Sequence, residues 1–194
     1  MMPSKTVTAA GLLLMSAIFL AGCNPYMLAT SAVSQTYGIA TDVRSVSTQA
    51  ADSGIEASIK AALLTSPVQG IGSLNVFCRQ GLVLLAGEVP RRSPAGFAAV
   101  QIARGTSGVQ RVETFYVHAQ ADPMSDFGLK TKIKGTLIMD PKLIAGQVDV
   151  GVYAGHVVLV GVVDSWQKVE EFREAVRSVD GVLSVRSYIQ VVTM

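Results

Sequence analysis

Asn75–Val89, NVFCRQGLVLLAGEV, and Asp149–Val163, DVGVYAGHVVLVGVV, superpose with one constant offset. Gly81 falls on Gly155, Gly87 on Gly161 and Val89 on Val163, each 74 positions apart. Upstream the same offset carries Ile55, Ile59, Lys60 and Leu63 onto Leu129, Ile133, Lys134 and Leu137. Downstream it becomes 73, pairing Gly108, Val109 and Val112 with Gly181, Val182 and Val185. Two copies of one unit, with one residue gained or lost between them, are the simplest account.

Within a unit the hydrophobic periods assign the elements. Ile55, Ile59, Ala62 and Leu63 recur at helical spacing, as do Leu129, Ile133, Thr136 and Leu137, so each unit opens with an amphipathic helix. In the second copy that helix is expected to begin near Asp126 as its cap. Two apolar strands follow, joined through Gln80-Gly81 or Ala154-Gly155 as a tight hairpin. A second helix is signalled by Ser93-Pro94 in copy one and by the capping-box spacing Asp164-x-x-Gln167 in copy two. Gly108 and Gly181 suit the C-terminus of that helix, where a positive φ is needed. A last strand, Val112–His118 or Val185–Val192, closes each unit. The fold class is therefore α+β: α-β-β-α-β twice, with helices on a small three-stranded mixed sheet.

Alignment of the copies also assigns faces. Val83, Leu85 and Val89 correspond to Val157, Leu159 and Val163 and should meet the helices. The opposite face carries Leu84, Ala86 and Phe115, or Val158, Val160 and Tyr188. It is too apolar for a solvated face, so the units are expected to pack on each other or on a partner. Cys78 shares a strand face with Val76 and reads as a small core hydrophobe.

The chain has 194 residues, with 16 basic and 14 acidic side chains, so no global field for nucleic acid exists. Its two cysteines and two histidines, Cys23, Cys78, His118 and His156, match no zinc spacing. No nucleophile-elbow, His-Glu-x-x-His or phosphate-loop motif occurs, which leaves a hydrolase without its usual chemistry. No catalytic residue, metal or cofactor is expected.

Near the start, Lys5 precedes an apolar run ending in Leu20-Ala21-Gly22-Cys23. The run is too short for the ~20 residues of a spanning helix and reads as an export signal over residues 1–22. Leu20-Ala21-Gly22-Cys23 resembles the bacterial lipobox, which implies cleavage before Cys23 and its acylation with diacylglycerol and a fatty acid such as palmitate. An ordinary signal with a chance cysteine is the alternative. Asn24, rather than Asp, favours sorting to the outer membrane where the enterobacterial rule applies. Residues 23–53, rich in Ser, Thr and Ala, read as the lipidated N-terminus and a flexible tether. Such a tether spans roughly 30 Å. The units then occupy residues 54–120 and 121–194.

The α-β-β-α-β unit, the V-x-L-x-G-x-V pattern of its second strand, its glycine-valine pair before the last strand and its duplication resemble the BON-domain family. Thr41–Leu63, TDVRSVSTQAADSGIEASIKAAL, is more specifically similar to the start of the first domain in DolP-type dual-BON lipoproteins. The resemblance implies a non-enzymatic, periplasm-facing outer-membrane lipoprotein that supports envelope integrity. It also implies phospholipid binding through the first helix of domain 2, at Phe127, Gly128, Lys130, Thr131, Lys134 and Ile138, with Gly128 where the family carries a membrane-facing tryptophan.

On that helix Phe127, Lys130, Lys134 and Ile138 fall on one face, beside the core stripe of Leu129, Ile133 and Leu137. A basic face with an aromatic suits an anionic phospholipid surface, each lysine contributing about 1 kcal/mol. A solvated face is the plain alternative. The copy-one helix has Glu56 and only Lys60, which assigns binding to copy two. Copy two as a whole has eight basic and nine acidic residues, against six and three in copy one, so the patch must act locally. Trp166 reads as packing at a helix end, with an aromatic membrane anchor as the alternative, and Arg91-Arg92 as a solvated loop. An adaptor for an envelope assembly or division machine, using the apolar sheet faces and loops, is the alternative function. Lipid species, protein partner and oligomeric state are left open.

Overall fold

The computed structural model describes residues 42–118 and 122–192, which fall in one compact unit of the chain. The export signal, Cys23 and most of the expected tether lie outside the described residues. Helix α1 spans Val46–Thr65, followed by strands β1 (Asn75–Arg79) and β2 (Leu82–Glu88). Helix α2 (Ala95–Arg104) and strand β3 (Arg111–Val117) complete the first copy. The second repeats the order with α3 (Pro123–Met139), β4 (Val148–Tyr153), β5 (His156–Val163), α4 (Trp166–Arg177) and β6 (Ser184–Val191). In each sheet the middle strand pairs antiparallel with the first and parallel with the last, giving the orders β1-β2-β3 and β4-β5-β6.

The two hairpins have the geometry expected of them. Gln80 and Gly81 have φ of 51° and 74°, and Ala154 and Gly155 have 50° and 75°. Positive φ at both central residues gives the turn a twist that matches right-handed strands.

The expected tether ends too late. Residues 46–53 are helical, the first turns of a 20-residue α1. Ser45 caps it, its hydroxyl accepting from the Thr48 N–H at 3.2 Å. Asp52 is drawn into the protein, where Arg44 pairs with both Asp42 and Asp52. This stretch lacks an apolar stripe, so nothing in its hydrophobic period marks the helix.

Two other local expectations also change. Helix α3 begins at Pro123 with Asp122 as its cap, accepting from the Met124 N–H at 3.0 Å, so Asp126 lies inside the helix. The capping box at Asp164 does not form. Ser165 occupies the cap position, but its hydroxyl donates to Asp164 at 3.0 Å and caps no helix N–H; Asp164 also accepts from Lys168 Nζ at 2.8 Å, and the Gln167 amide donates to Glu171 at 2.9 Å.

Each copy has its own core between helices and sheet. Val83, Leu85 and Val89 pack with Ile59, Leu63 and Ala99; Val157, Leu159 and Val163 pack with Ile133, Leu137 and Phe172. The opposite sheet faces meet each other. Leu84 and Ala86 are buried with Val158, Val160 and Tyr153, with Phe77, Phe115 and Tyr188 packed around them. Of the two coverings open to these faces, a partner or the other copy, the structure has the other copy. The seam is also bonded: Tyr188 Oη donates to the Thr114 carbonyl at 3.3 Å, the Gln190 amide to the Arg79 carbonyl at 2.7 Å, and Arg79 pairs with Asp149.

Candidate lipid-contact surface

Leu129, Ile133 and Leu137 are buried, which fixes how α3 rolls on its sheet. Phe127, Gly128, Thr131, Lys134 and Ile138 are thereby turned to solvent, with Lys130 half-buried at the margin. All six sequence-predicted residues therefore lie on the accessible part of one helix. Phe127 is 69% exposed and Ile138 71%. A Cβ added at Gly128 would meet nothing within 4 Å, so the surface beside Phe127 is open. The Thr131 hydroxyl donates to the Phe127 carbonyl at 2.9 Å, which ties it to its own helix.

Two residues were missed by the sequence reading. Met124 and Met139 are 76% and 85% exposed, one at each end of the same helix. Met124 stands three positions before Phe127, so the outward period was visible; the inward stripe of Leu129, Ile133 and Leu137 dominated the assignment. Helix α3 thus has two apolar faces, one in the core and one in solvent.

The charges on this helix differ from those on α1 in what they touch. Glu56 and Lys60 stand 74 positions before Lys130 and Lys134. Glu56 accepts from the Cys78 N–H at 2.6 Å and pairs with Arg79 at 2.9 Å. Lys60 Nζ donates to the Gly72 and Leu74 carbonyls, both at 2.8 Å. Glu56 and Lys60 are thus both engaged in holding the fold. Lys130, Lys132 and Lys134 make no hydrogen bond or ion pair among the described residues. Burial, and secondarily the Lys134 ammonium one turn away, lower the Lys130 pKa. An anion placed between the two lysines relieves that repulsion. Lys130 and Phe127 also border a cleft of about 470 Å³ shared with Asn75, Glu88 and Tyr153.

Asp126 is a structural residue of the same helix. Its carboxylate accepts from the Ala154 N–H at 2.7 Å and the Gly155 N–H at 3.0 Å, clamping the β4–β5 hairpin. Asp52 does the same in copy one, accepting from Gln80 and Gly81 at 2.8 and 3.1 Å. The two aspartates are 74 apart and each is followed by x-Gly-(Ile/Leu), a signal the repeat contained.

A model of the family described as "BON domain" matches residues 51–115 and 125–193, more than half of the chain. The chain belongs to the BON-domain family. It carries two BON domains as an internal repeat. It is 30% identical over 158 residues to the outer membrane lipoprotein DolP of Haemophilus influenzae, covering 77% of this chain and 79% of that one. It is 31% identical over 142 residues to osmotically-inducible protein Y of Escherichia coli, covering 70% of each. Among solved structures, CdsD, a structural protein of the type III secretion system of Chlamydia trachomatis, aligns with a TM-score of 0.32 and 12% identity, over 74% of this chain and 64% of that one. The chain is thus a dual-BON protein of the DolP type.

The remaining sequence candidates in the two BON domains lie elsewhere. Cys78 is buried in the first core, with its thiol 3.4 Å from the Asp52 carboxylate. Burial, and then the Asp52 charge, push its pKa up to about 12. Native Cys78 is therefore expected to resist alkylation at pH 8 and to react only on unfolding. Mass spectrometry of the Cys78 peptide checks this, and modification at a rate typical of a free thiol would show the strand to be open. Trp166, expected to pack, is instead 71% exposed at the first residue of α4. No helix among the described residues is long and apolar enough to cross a membrane, and none of their His, Cys, Asp and Glu groups could hold a metal ion.

Proposed function

We propose that this chain is an outer-membrane lipoprotein anchored through acyl groups on Cys23 and facing the periplasm. In this reading it supports envelope integrity without catalysis, by contact of α3 with anionic phospholipid. One observation carries the reading: the two helical positions used internally in domain 1, Glu56 and Lys60, are unpaired lysines in domain 2, beside exposed Phe127 and Ile138. Lysines near an anionic surface contribute about 1 kcal/mol each, and an apolar side chain fully buried from water about 1.5–3 kcal/mol. The lysines attract the surface and the apolar tips enter its headgroup layer. Attachment at both Cys23 and α3 makes the second contact intramolecular, so weak headgroup binding suffices. The adaptor alternative keeps only its loops, because the apolar sheet faces are buried against one another.

Flotation of the chain from Asn24 onward, without acyl groups, tests the reading. The protein is expected to float with anionic and not with neutral liposomes, and to lose flotation when Lys130 and Lys134 are both changed to Glu. Binding should weaken between 0.05 and 0.5 M salt as the Debye length, about 10 Å at 0.1 M, shrinks. If neither protein floats, Cys23 alone supplies attachment and the α3 proposal fails.

A further inference from the structure

Four basic side chains that are scattered in the sequence meet at one place in the fold. Arg91 lies in the turn between β2 and α2, and His118 follows β3. His156 opens β5, and Arg186 lies on β6. Two come from each domain, and with Phe115 and Ser184 they border a cleft of about 580 Å³ at the seam. No carboxylate is among its lining residues.

The cleft is electrostatically unlike the rest of the seam. Arg79, also at the seam, is neutralised by Glu56 and Asp149. Arg91 and Arg186 have no acidic partner among the described residues. Arg186 is positioned by stacking, its guanidinium 5.7 Å from the centre of the Phe115 ring across the domain boundary. His118 Nδ1 is 2.7 Å from the Val89 carbonyl, an acceptor only, so Nδ1 carries the hydrogen and the ring is oriented. His156 Nδ1 is 2.8 Å from Ser184 Oγ. Two permanent cations contributed by different domains, with oriented polar rings and no competing carboxylate, match the planar, forked recognition that arginine gives to phosphate.

We propose that this cleft is a phosphate-binding site shared by the two domains, separate from α3. Its ligand is a dianionic phosphate group, either a free anion or the phosphomonoester headgroup of a lipid. A ligand held by Arg91 and Arg186 together contacts both domains at once and tightens the seam it occupies.

The test uses the full chain in neutral detergent micelles. Inorganic phosphate and pyrophosphate are titrated by calorimetry, and in a parallel arm the micelles are doped with phosphatidic acid. The lipid arm is run in a Lys130→Gln/Lys134→Gln background, so that α3 does not contribute. Saturable binding is expected in at least one arm, weakened about tenfold or more by Arg91→Gln with Arg186→Gln. A carboxylate introduced by Ser184→Asp should weaken it independently. Binding of the soluble anions assigns a free phosphate ligand; binding of phosphatidic acid alone assigns a headgroup. Absence of saturable binding in both arms, or binding unchanged in both the double-glutamine and the Ser184→Asp variants, overturns the proposal.

Discussion

Replacement of Asp52 by alanine is expected to destabilise the first domain by about 3–5 kcal/mol, the range for breaking a buried charge pair. The side chain is buried and accepts from the Gln80 and Gly81 N–H groups and the Cys78 thiol while pairing with Arg44. Removing it strands the two turn donors and the Nη1 donor of a buried guanidinium. Asp126→Ala should cost less, about 1–3 kcal/mol, because that carboxylate is half-exposed and, among the described residues, has only the two turn donors. Urea unfolding of the two variants measures both; equal losses would mean that Arg44 contributes nothing. The effect also has a pH signature. Burial raises the Asp52 pKa, but the backbone donors of Gln80 and Gly81, the Cys78 thiol and Arg44 outweigh it and hold the carboxyl below its ordinary range. The unfolded chain therefore takes up the proton first as pH falls. The stability gap between wild type and Asp52→Asn should be constant from neutral pH to about pH 4, the ordinary carboxyl value, and shrink below it. A gap unchanged at pH 2 would sink this account.

Gly161→Ala should be comparably damaging in the second domain, at about 3 kcal/mol or more, the upper part of the range for overpacking. A Cβ there would lie 2.3 Å from the Gln147 carbonyl oxygen and 3.0 Å from the Val148 Cα. These obstacles are backbone, so no rotamer change relieves the clash, and β4 would have to separate from β5 where Val148 pairs with Gly161. Gly128→Ala is the opposite case in the same domain. That glycine is helical, a Cβ meets nothing within 4 Å, and the substitution should stabilise by up to about 1 kcal/mol. Thermal unfolding of the pair distinguishes close approach from mere flexibility: a neutral Gly161→Ala would show that the strand end yields.

The repeat made much of this architecture legible, because any position apolar in both copies is assigned to a face twice. That logic correctly placed Val83 and Val157 toward the helices and grouped Leu84 with Val158 on the other side. Periodicity says that a face is apolar but not what covers it, so the junction between domains needed the structure. The start of α1 was hidden for a related reason. Its first turns are held by a cap and by Arg44 and Asp52 rather than by an apolar stripe. Asp126 was misread because a carboxylate near a helix start looks like a cap, while its partners lie 28 and 29 residues away. The basic cleft was illegible altogether: Arg91, His118, His156 and Arg186 share no spacing, and only the docking of the two sheets brings them together.

That docking makes the chain its own dimer. The contact buries the kind of apolar sheet face that a single-unit protein would have to hide by finding a second molecule, with a dissociation constant and a dependence on expression level. Covalent fusion removes both. The paired state survives dilution, no monomer with an uncovered sheet is released when the protein is scarce, and each copy is free to change its outer helix without losing its neighbour. One unit can spend its helix charges on its own fold while the other turns them outward.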